Sequence, residues 1–94
     1  RTADDGEIDW NWQKERIKNW VRAQAFPYPG AFTVVNNQRV IIDKIMYSKA
    51  GFKQNFPNGM IIETNPVLVK TQNGVVELTD IREGMDLIEK GMIL

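Results

Sequence analysis

The chain contains neither cysteine nor histidine. Without cysteine it can form no disulfide and offers no thiolate nucleophile, an absence that fits a cytosolic protein. Without histidine it lacks the commonest general base and the commonest metal ligand. The two absences together exclude Ser-His-Asp and Cys-His catalytic sets and zinc sites of the usual kinds, so no metal is expected. No apolar run approaches the roughly 18–20 residues of a membrane span, and no signal-peptide pattern opens the chain. Neither a Gly-x-Gly-x-x-Gly nor a Walker pattern occurs among the seven glycines. Net charge is missing too, with twelve basic residues against twelve acidic ones. A dedicated nucleic-acid binder is usually basic as a domain.

What remains is an ordinary globular composition, 43% hydrophobic and 26% charged, in 94 residues. That length supports one core and one domain. A chain that begins at Arg1 rather than Met is expected to be part of a longer one. Charge is unevenly spread: residues 1–9 carry Asp4, Asp5, Glu7 and Asp9 against Arg1, a net −3. Residues 10–60 carry Lys14, Arg16, Lys18, Arg22, Arg39, Lys44, Lys49 and Lys53 against Glu15 and Asp43, a net +6. Residues 61–94 return to −3. The basic middle reads either as a scattered solvated surface or as a patch able to meet phosphates.

The pivot of the pattern is the stretch from Trp20 to Thr33, where a helical pattern stops and a β pattern begins. Residues 1–9 read as a mobile acidic lead-in with Gly6 as a breaker, and Asp9 as the N-cap of a helix over about Trp10 to Ala25. Trp10, Ile17, Trp20 and Val21 share one face at 3.6-residue spacing. Trp12 points away from that stripe, to pack under the lead-in or to face a neighbouring domain. Pro27 ends the helix near Ala25 or Phe26, and Pro29 with Gly30 completes a rigid corner. Strands are predicted at Phe32–Val35, Arg39–Tyr47, Met60–Thr64, Val67–Thr71 and Val75–Thr79. Turns at Asn36-Asn37, Asn65-Pro66 and Gln72-Asn73-Gly74 join them, with a loop over residues 48–58. The run Val40-Ile41-Ile42 breaks alternation and predicts a bulge. Weak helical character follows around Gly84 to Glu89.

One helix feeding five short strands predicts a mainly β domain over residues 10–94, a small OB-like five-stranded β-barrel, with an SH3-like barrel as the alternative. Paired carboxylates are available at Asp80, Glu83, Asp86 and Glu89, but such spacing near a terminus is more often a solvated face than an acid–base pair. No residue set in this chain reads as catalytic.

The corner resembles the C-terminal domain of the formyltransferases, the family of methionyl-tRNA formyltransferase and its sugar-modifying relatives. The resemblance is carried by Ile8-Asp9-Trp10, by Val21-Arg22-Ala23 and by Pro27-Tyr28-Pro29-Gly30-Ala31-Phe32-Thr33. Pro57-Asn58-Gly59-Met60-Ile61 looks like the family's Pro-Gly-x-Ile turn with one residue inserted. Val69-Lys70-Thr71, Gly74 and Val76 to Leu78 resemble its closing hairpin. The match extends from Arg1 to about Ile81.

The resemblance implies a non-catalytic accessory domain with an OB-like fold, joined to a Rossmann-like catalytic domain that uses 10-formyltetrahydrofolate and an Asn-His-Asp set. No cofactor is implied for this chain itself. Trp12, Phe26 and Tyr28 are its candidates for facing the catalytic domain. Arg16, Lys18, Arg22 and Arg39 are its candidates for contacting phosphates of the formyl acceptor. For Arg22 a second reading is structural: it pairs with carbonyls or an acid and fixes the helix end. Where tRNA-modifying members carry a Gly-Lys-Lys-Arg-Met-like block, this chain has Ile81-Arg82-Glu83-Gly84-Met85-Asp86. That departure, with zero net charge, favours a sugar nucleotide or other small amine over tRNA, whose binding rests on Lys and Arg contacts to phosphate. A further alternative is an oligomerisation module, a homodimer paired through exposed strand edges.

Overall fold

A computed structural model describes residues 3–94. After a 3-10 turn at Ala3–Gly6 come helix α1 (Lys14–Gln24) and strands β1 (Ala31–Val35), β2 (Gln38–Ser48), β3 (Ile61–Thr64), β4 (Val67–Thr71) and β5 (Gly74–Glu83). The chain is thus mainly β with one N-terminal helix, as predicted. The five strands form one antiparallel sheet in the order β1-β2-β5-β4-β3. It curls into a half-barrel, with β1 and β3 at opposite edges, a form consistent with a small OB-like barrel.

Local chemistry accounts for the turns. Asn36 and Asn37 both take positive φ, 52° and 64°, the backbone that a two-residue hairpin requires and that asparagine tolerates. The predicted bulge begins within the Val40-Ile41-Ile42 run and extends beyond it: the β2/β5 register slips from Ile41 to Ile45 and skips Asp43. A bulge of this kind bends its strand and re-aims a side chain. Strand β5 runs to Glu83, past the predicted Thr79, because it follows the long β2 throughout. Residues 84–89, weakly helical by sequence, form only a 3-10 turn at Met85–Leu87.

The core lies between α1 and the concave face of the sheet. Ile17 and Val21 from the helix meet Val40, Ile42, Ile45, Ile61, Val69 and Val76, all buried. Each such side chain contributes roughly 1.5–3 kcal/mol on leaving water. Trp10 is buried as predicted but precedes the helix, and its indole N–H donates to Thr33 Oγ1 at 3.2 Å.

The helix starts four residues later than Trp10. Asp9 is not its N-cap: its carboxylate accepts the Asn11 N–H at 2.9 Å, closing a tight turn ahead of the helix. The cap comes from a distant hairpin instead. Asn73 Oδ1 accepts the Lys14 N–H at 2.8 Å while Asn73 Nδ2 donates to Glu15 Oε1 at 2.9 Å. That donation holds the Glu15 carboxyl below its ordinary range.

The lead-in, from Gly6 onward, is part of the packed domain rather than a loose segment. The Ile8 N–H donates to Phe32 O at 2.9 Å, and Trp20 Nε1 donates to Gly6 O at 3.1 Å. Arg1 and Thr2 lie outside the described residues. Gly6 is buried so tightly that a Cβ there would meet the Gly30 carbonyl oxygen at 2.4 Å. Lead-in and corner therefore touch backbone to backbone.

The corner itself is held by Arg82. Its Nε donates to Asp43 Oδ2 at 2.8 Å and one terminal nitrogen to Asp43 Oδ1 at 2.7 Å. The terminal nitrogens also reach Pro29 O at 2.9 Å and Tyr28 O at 3.1 Å. Asp43 Oδ1 in turn accepts the Phe26 N–H at 3.3 Å. Arg22, the residue expected to fix the helix end, does not take this part: its guanidinium reaches Asn19 Oδ1 at 3.4 Å on its own helix. The Arg82 hydrogen bonds hold the Asp43 carboxyl below its usual range, and Asp43 raises the Arg82 guanidinium.

Two predictions follow from this packing. Gly6→Ala forces the Gly30 carbonyl to move, so urea unfolding of the chain should show a loss of about 1–3 kcal/mol; wild-type stability would mean that the lead-in does not pack on the corner. Because the folded pKa of Asp43 is depressed, its contribution is fully present above the unfolded aspartate value of about 3.9 and disappears as pH falls through the lower folded value. Asp43→Asn should therefore cost about 1.5–3 kcal/mol at pH 7. Its deficit against wild type should shrink in acid below about pH 4, measured by thermal unfolding across a pH series.

Candidate functional site

Helix α1 and strand β2 leave a groove between them. Lys18, Val21, Arg22 and Ala25 line one wall and Asp43, Lys44, Ile45 and Met46 the other, around a cavity of about 340 Å³. The positions follow from two periodicities. On α1, Lys18 and Arg22 are four residues apart and lie one turn above each other. On β2, the bulge at Asp43 places Asp43 and Lys44 together at the groove. Val21 and Ile45 are buried at its base, and Met46 is exposed at its mouth.

The electrostatics of the groove are one-sided. Its only acid, Asp43, is already bonded twice by Arg82. Among the described residues no carboxylate pairs with Lys18, Arg22 or Lys44. The Lys18 ammonium lies 4.6 Å from the centroid of the Tyr47 ring, a contact that orients it without neutralising it. Lys14, one turn earlier, lies 5.6 Å from the same ring.

The structure brings only two of the four predicted phosphate-contact residues together. Lys18 and Arg22 share the groove. Arg16 lies on another side of the helix, 4.1 Å over the Trp12 ring. Arg39 stacks 4.0 Å over Phe32 and pairs with Asp4. Lys44 is the groove cation that sequence reasoning did not single out. The signal was present in the strand pattern, since Lys44 is exposed between two inward residues, Ile42 and Ile45, but the bulge hid the alternation.

The predicted domain-facing residues also separate. Trp12 does not stand clear of the apolar stripe: it packs edge-on against Trp20, ring centroids 5.3 Å apart, and is half-buried. Phe26 is 80% exposed and Tyr28 49%, so the corner presents two aromatic rings outward from a backbone held by Arg82. The homodimer expectation needed free strand edges. In the structure Glu7 and Ile8 pair with Phe32 on β1, and Met60–Ile61 pair with residues 91–93 of the tail beside β3.

A second, polar cavity of about 380 Å³ lies between the lead-in and the tail, lined by Glu7, Asp9, Trp10, Asn11 and Asn58 among others. Asn58 links it to the sheet: its Nδ2 donates to Asn11 Oδ1 at 3.2 Å and its Oδ1 accepts from the buried Lys70 ammonium at 3.0 Å. Lys70 also lies 4.7 Å from the Phe52 ring, tying the 48–58 loop to β4. Among the described residues no group of three or more His, Cys, Asp and Glu side chains is placed to hold a metal ion. No described helix is long and apolar enough to cross a membrane.

Comparison with known proteins agrees with this architecture. Residues 1–89 match the family described as formyl transferase, C-terminal domain. The bifunctional polymyxin resistance protein ArnA of Wigglesworthia glossinidia brevipalpis is 35% identical over 78 residues, covering 83% of this chain. The match spans 12% of that relative's length. With that match over nearly its whole length, the chain belongs to the formyl transferase C-terminal domain family.

Proposed function

We propose that this domain is the accessory, non-catalytic part of a formyltransferase that takes its formyl group from 10-formyltetrahydrofolate, and that it helps to hold the formyl acceptor beside a separate Rossmann-like catalytic domain. Formyl transfer to an amine needs a group to accept the amine proton. The chain has no histidine, and the groove's one carboxylate is committed to Arg82. The exposed Phe26 and Tyr28 are suited to face the catalytic domain, being apolar rings on a rigid backbone.

A sugar nucleotide or other small amine is the acceptor class that the charge distribution favours. The observation that carries this reading is that Lys18 and Arg22, neither of them paired with a carboxylate, line one small groove of a domain with no net charge. The matched relative is named for polymyxin resistance rather than for tRNA. A tRNA acceptor is the second reading, supported by Lys14, Lys18 and Arg22 at four-residue intervals along α1.

The test uses the full-length parent enzyme with 10-formyltetrahydrofolate and two acceptors, a nucleotide-linked amino sugar and initiator methionyl-tRNA. Formylation of the amino sugar is expected, with Arg22→Ala raising its KM about tenfold and leaving kcat nearly unchanged, the pattern of lost uniform binding. Formylation of the tRNA alone, with binding that weakens steeply with salt, would overturn the small-acceptor reading.

A further inference from the structure

We infer that Asn73 is a site of spontaneous covalent modification: deamidation at Asn73-Gly74, with water as the only co-reactant, unfastens helix α1 from the β4–β5 hairpin. The reaction begins when the main-chain nitrogen after an asparagine attacks that residue's side-chain amide carbon. It is fastest where the following residue has no side chain to obstruct the approach. The chain has eight asparagines, and of these Asn58 and Asn73 precede glycine. Asn65 precedes Pro66, whose ring nitrogen carries no proton to lose, and the others precede larger side chains.

The fold separates the two candidates. Asn58 is half-buried, with its amide held between Asn11 Oδ1 and the Lys70 ammonium. Gly59 behind it is buried, its N–H donates to Lys70 O at 2.7 Å, and a Cβ there would meet Leu94 O at 2.9 Å. Attacking nitrogen and target carbon are thus both fixed in packed surroundings. Asn73 is exposed at the tip of a two-residue turn, and Gly74 is the end position of the hairpin, paired with Thr71. The end of a hairpin opens more readily than a packed segment does. The Lys14 ammonium lies over Gly74, 3.1 Å from where a Cβ would stand. A cation so close favours loss of the Gly74 amide proton, the event that makes the nitrogen nucleophilic.

In this step Gly74 N bonds to Asn73 Cγ, the Cγ–Nδ2 bond breaks, and Nδ2 leaves as ammonia with the Gly74 amide proton. Water then opens the cyclic imide. Cleavage at Cγ gives aspartate. Cleavage at the main-chain carbonyl gives isoaspartate, which inserts a methylene into the chain at the Thr71–Gly74 pairing. Both products alter the cap of α1, which Gln13 does not supply and Asn73 does. In the aspartate form Oδ1 still accepts the Lys14 N–H, but an oxygen replaces Nδ2 and faces Glu15 Oε1 across a former 2.9 Å hydrogen bond. Two carboxylates at that separation repel. Because ammonia is lost, the change runs one way.

A time course of the 94-residue chain at mildly alkaline pH, read by peptide mass mapping, tests the assignment with Asn58 as the internal control. In the folded chain Asn73 should convert at least about tenfold faster than Asn58. In concentrated urea, where both are plain Asn-Gly sequences, the two should convert at similar rates. Equal rates in the folded chain would overturn the site, as would an intact Asn73 after the urea-unfolded chain has fully converted. The converted chain, separated by its added negative charge, and the Asn73→Asp variant should share one signature. Amide signals of Lys14 and Glu15 should be displaced, amide exchange in the first turn of α1 should be faster, and the Glu15 carboxyl, held low by Asn73 in the native chain, should titrate higher. Native signals and a native Glu15 titration in both would mean that hairpin and helix stay fastened, and would overturn the release.

Discussion

The pairing of Arg82 with Asp43 is the contact on which the remaining geometry rests. A guanidinium presents several donors in a rigid plane, so one side chain can grip a carboxylate on two sides and still reach two carbonyl oxygens. Arg82 does this between strands β5 and β2 and the corner at Tyr28 and Pro29. An ammonium could not hold three chain segments in one plane. The pair is also what joins stability to electrostatics: the acid that would have offset the groove's positive charge is the acid that anchors the corner. A bulge in β2 is the local distortion that makes this possible, since it takes Asp43 out of the regular pairing.

The chain's pattern of prolines, asparagines and β-branched residues was enough to read the element order, the positions of the turns and a mainly β fold. Pro27 stops the helix where its missing N–H says it should, with the last helical residue at Gln24. Asn36 and Asn37 make the hairpin that their tolerance of positive φ allows. These are local effects, decided within a few residues. The misreadings share a different cause. The sequence predicts a helix start at Trp10 because Asp9 is a good cap in isolation, yet Asp9 closes its own turn and the cap comes from Asn73, 59 residues away from Lys14. Arg22 is adjacent to the helix end, yet its guanidinium bonds Asn19 on its own helix, and the corner beyond the helix is held by Arg82 from across the sheet. A long-range hydrogen bond leaves no periodic trace in a single sequence.

The same distinction applies to the groove. Lys18 and Arg22 could be paired from helical spacing alone. That Lys44 joins them, that Arg39 is turned toward Asp4 and Phe32, and that Arg16 lies over Trp12 are consequences of how the sheet curls around the helix. Charge that looks like one basic segment along the chain is therefore divided in space into a convergent set and two locally engaged arginines. Asn58 shows the complementary case. It lies in the turn at Pro57–Ile61, and the structure uses it to bridge Lys70 to Asn11.

Each rim of the sheet is partly covered by one of the chain's end segments: Glu7 and Ile8 pair with Phe32 of β1, and residues 91–93 pair with Met60 and Ile61 at the start of β3. A sheet rim with unpaired N–H and C=O groups is an open template for other chains. The short end segments thus occupy backbone groups that would otherwise stand open at the rims, although neither belongs to a named strand. Trimming either of them for crystallisation, or moving the chain's ends by circular permutation, would expose a β-rim rather than remove a dispensable tail. Any added segment, a tag or a fusion, must leave either end without peeling these residues from the sheet, which limits the directions from which it can be attached.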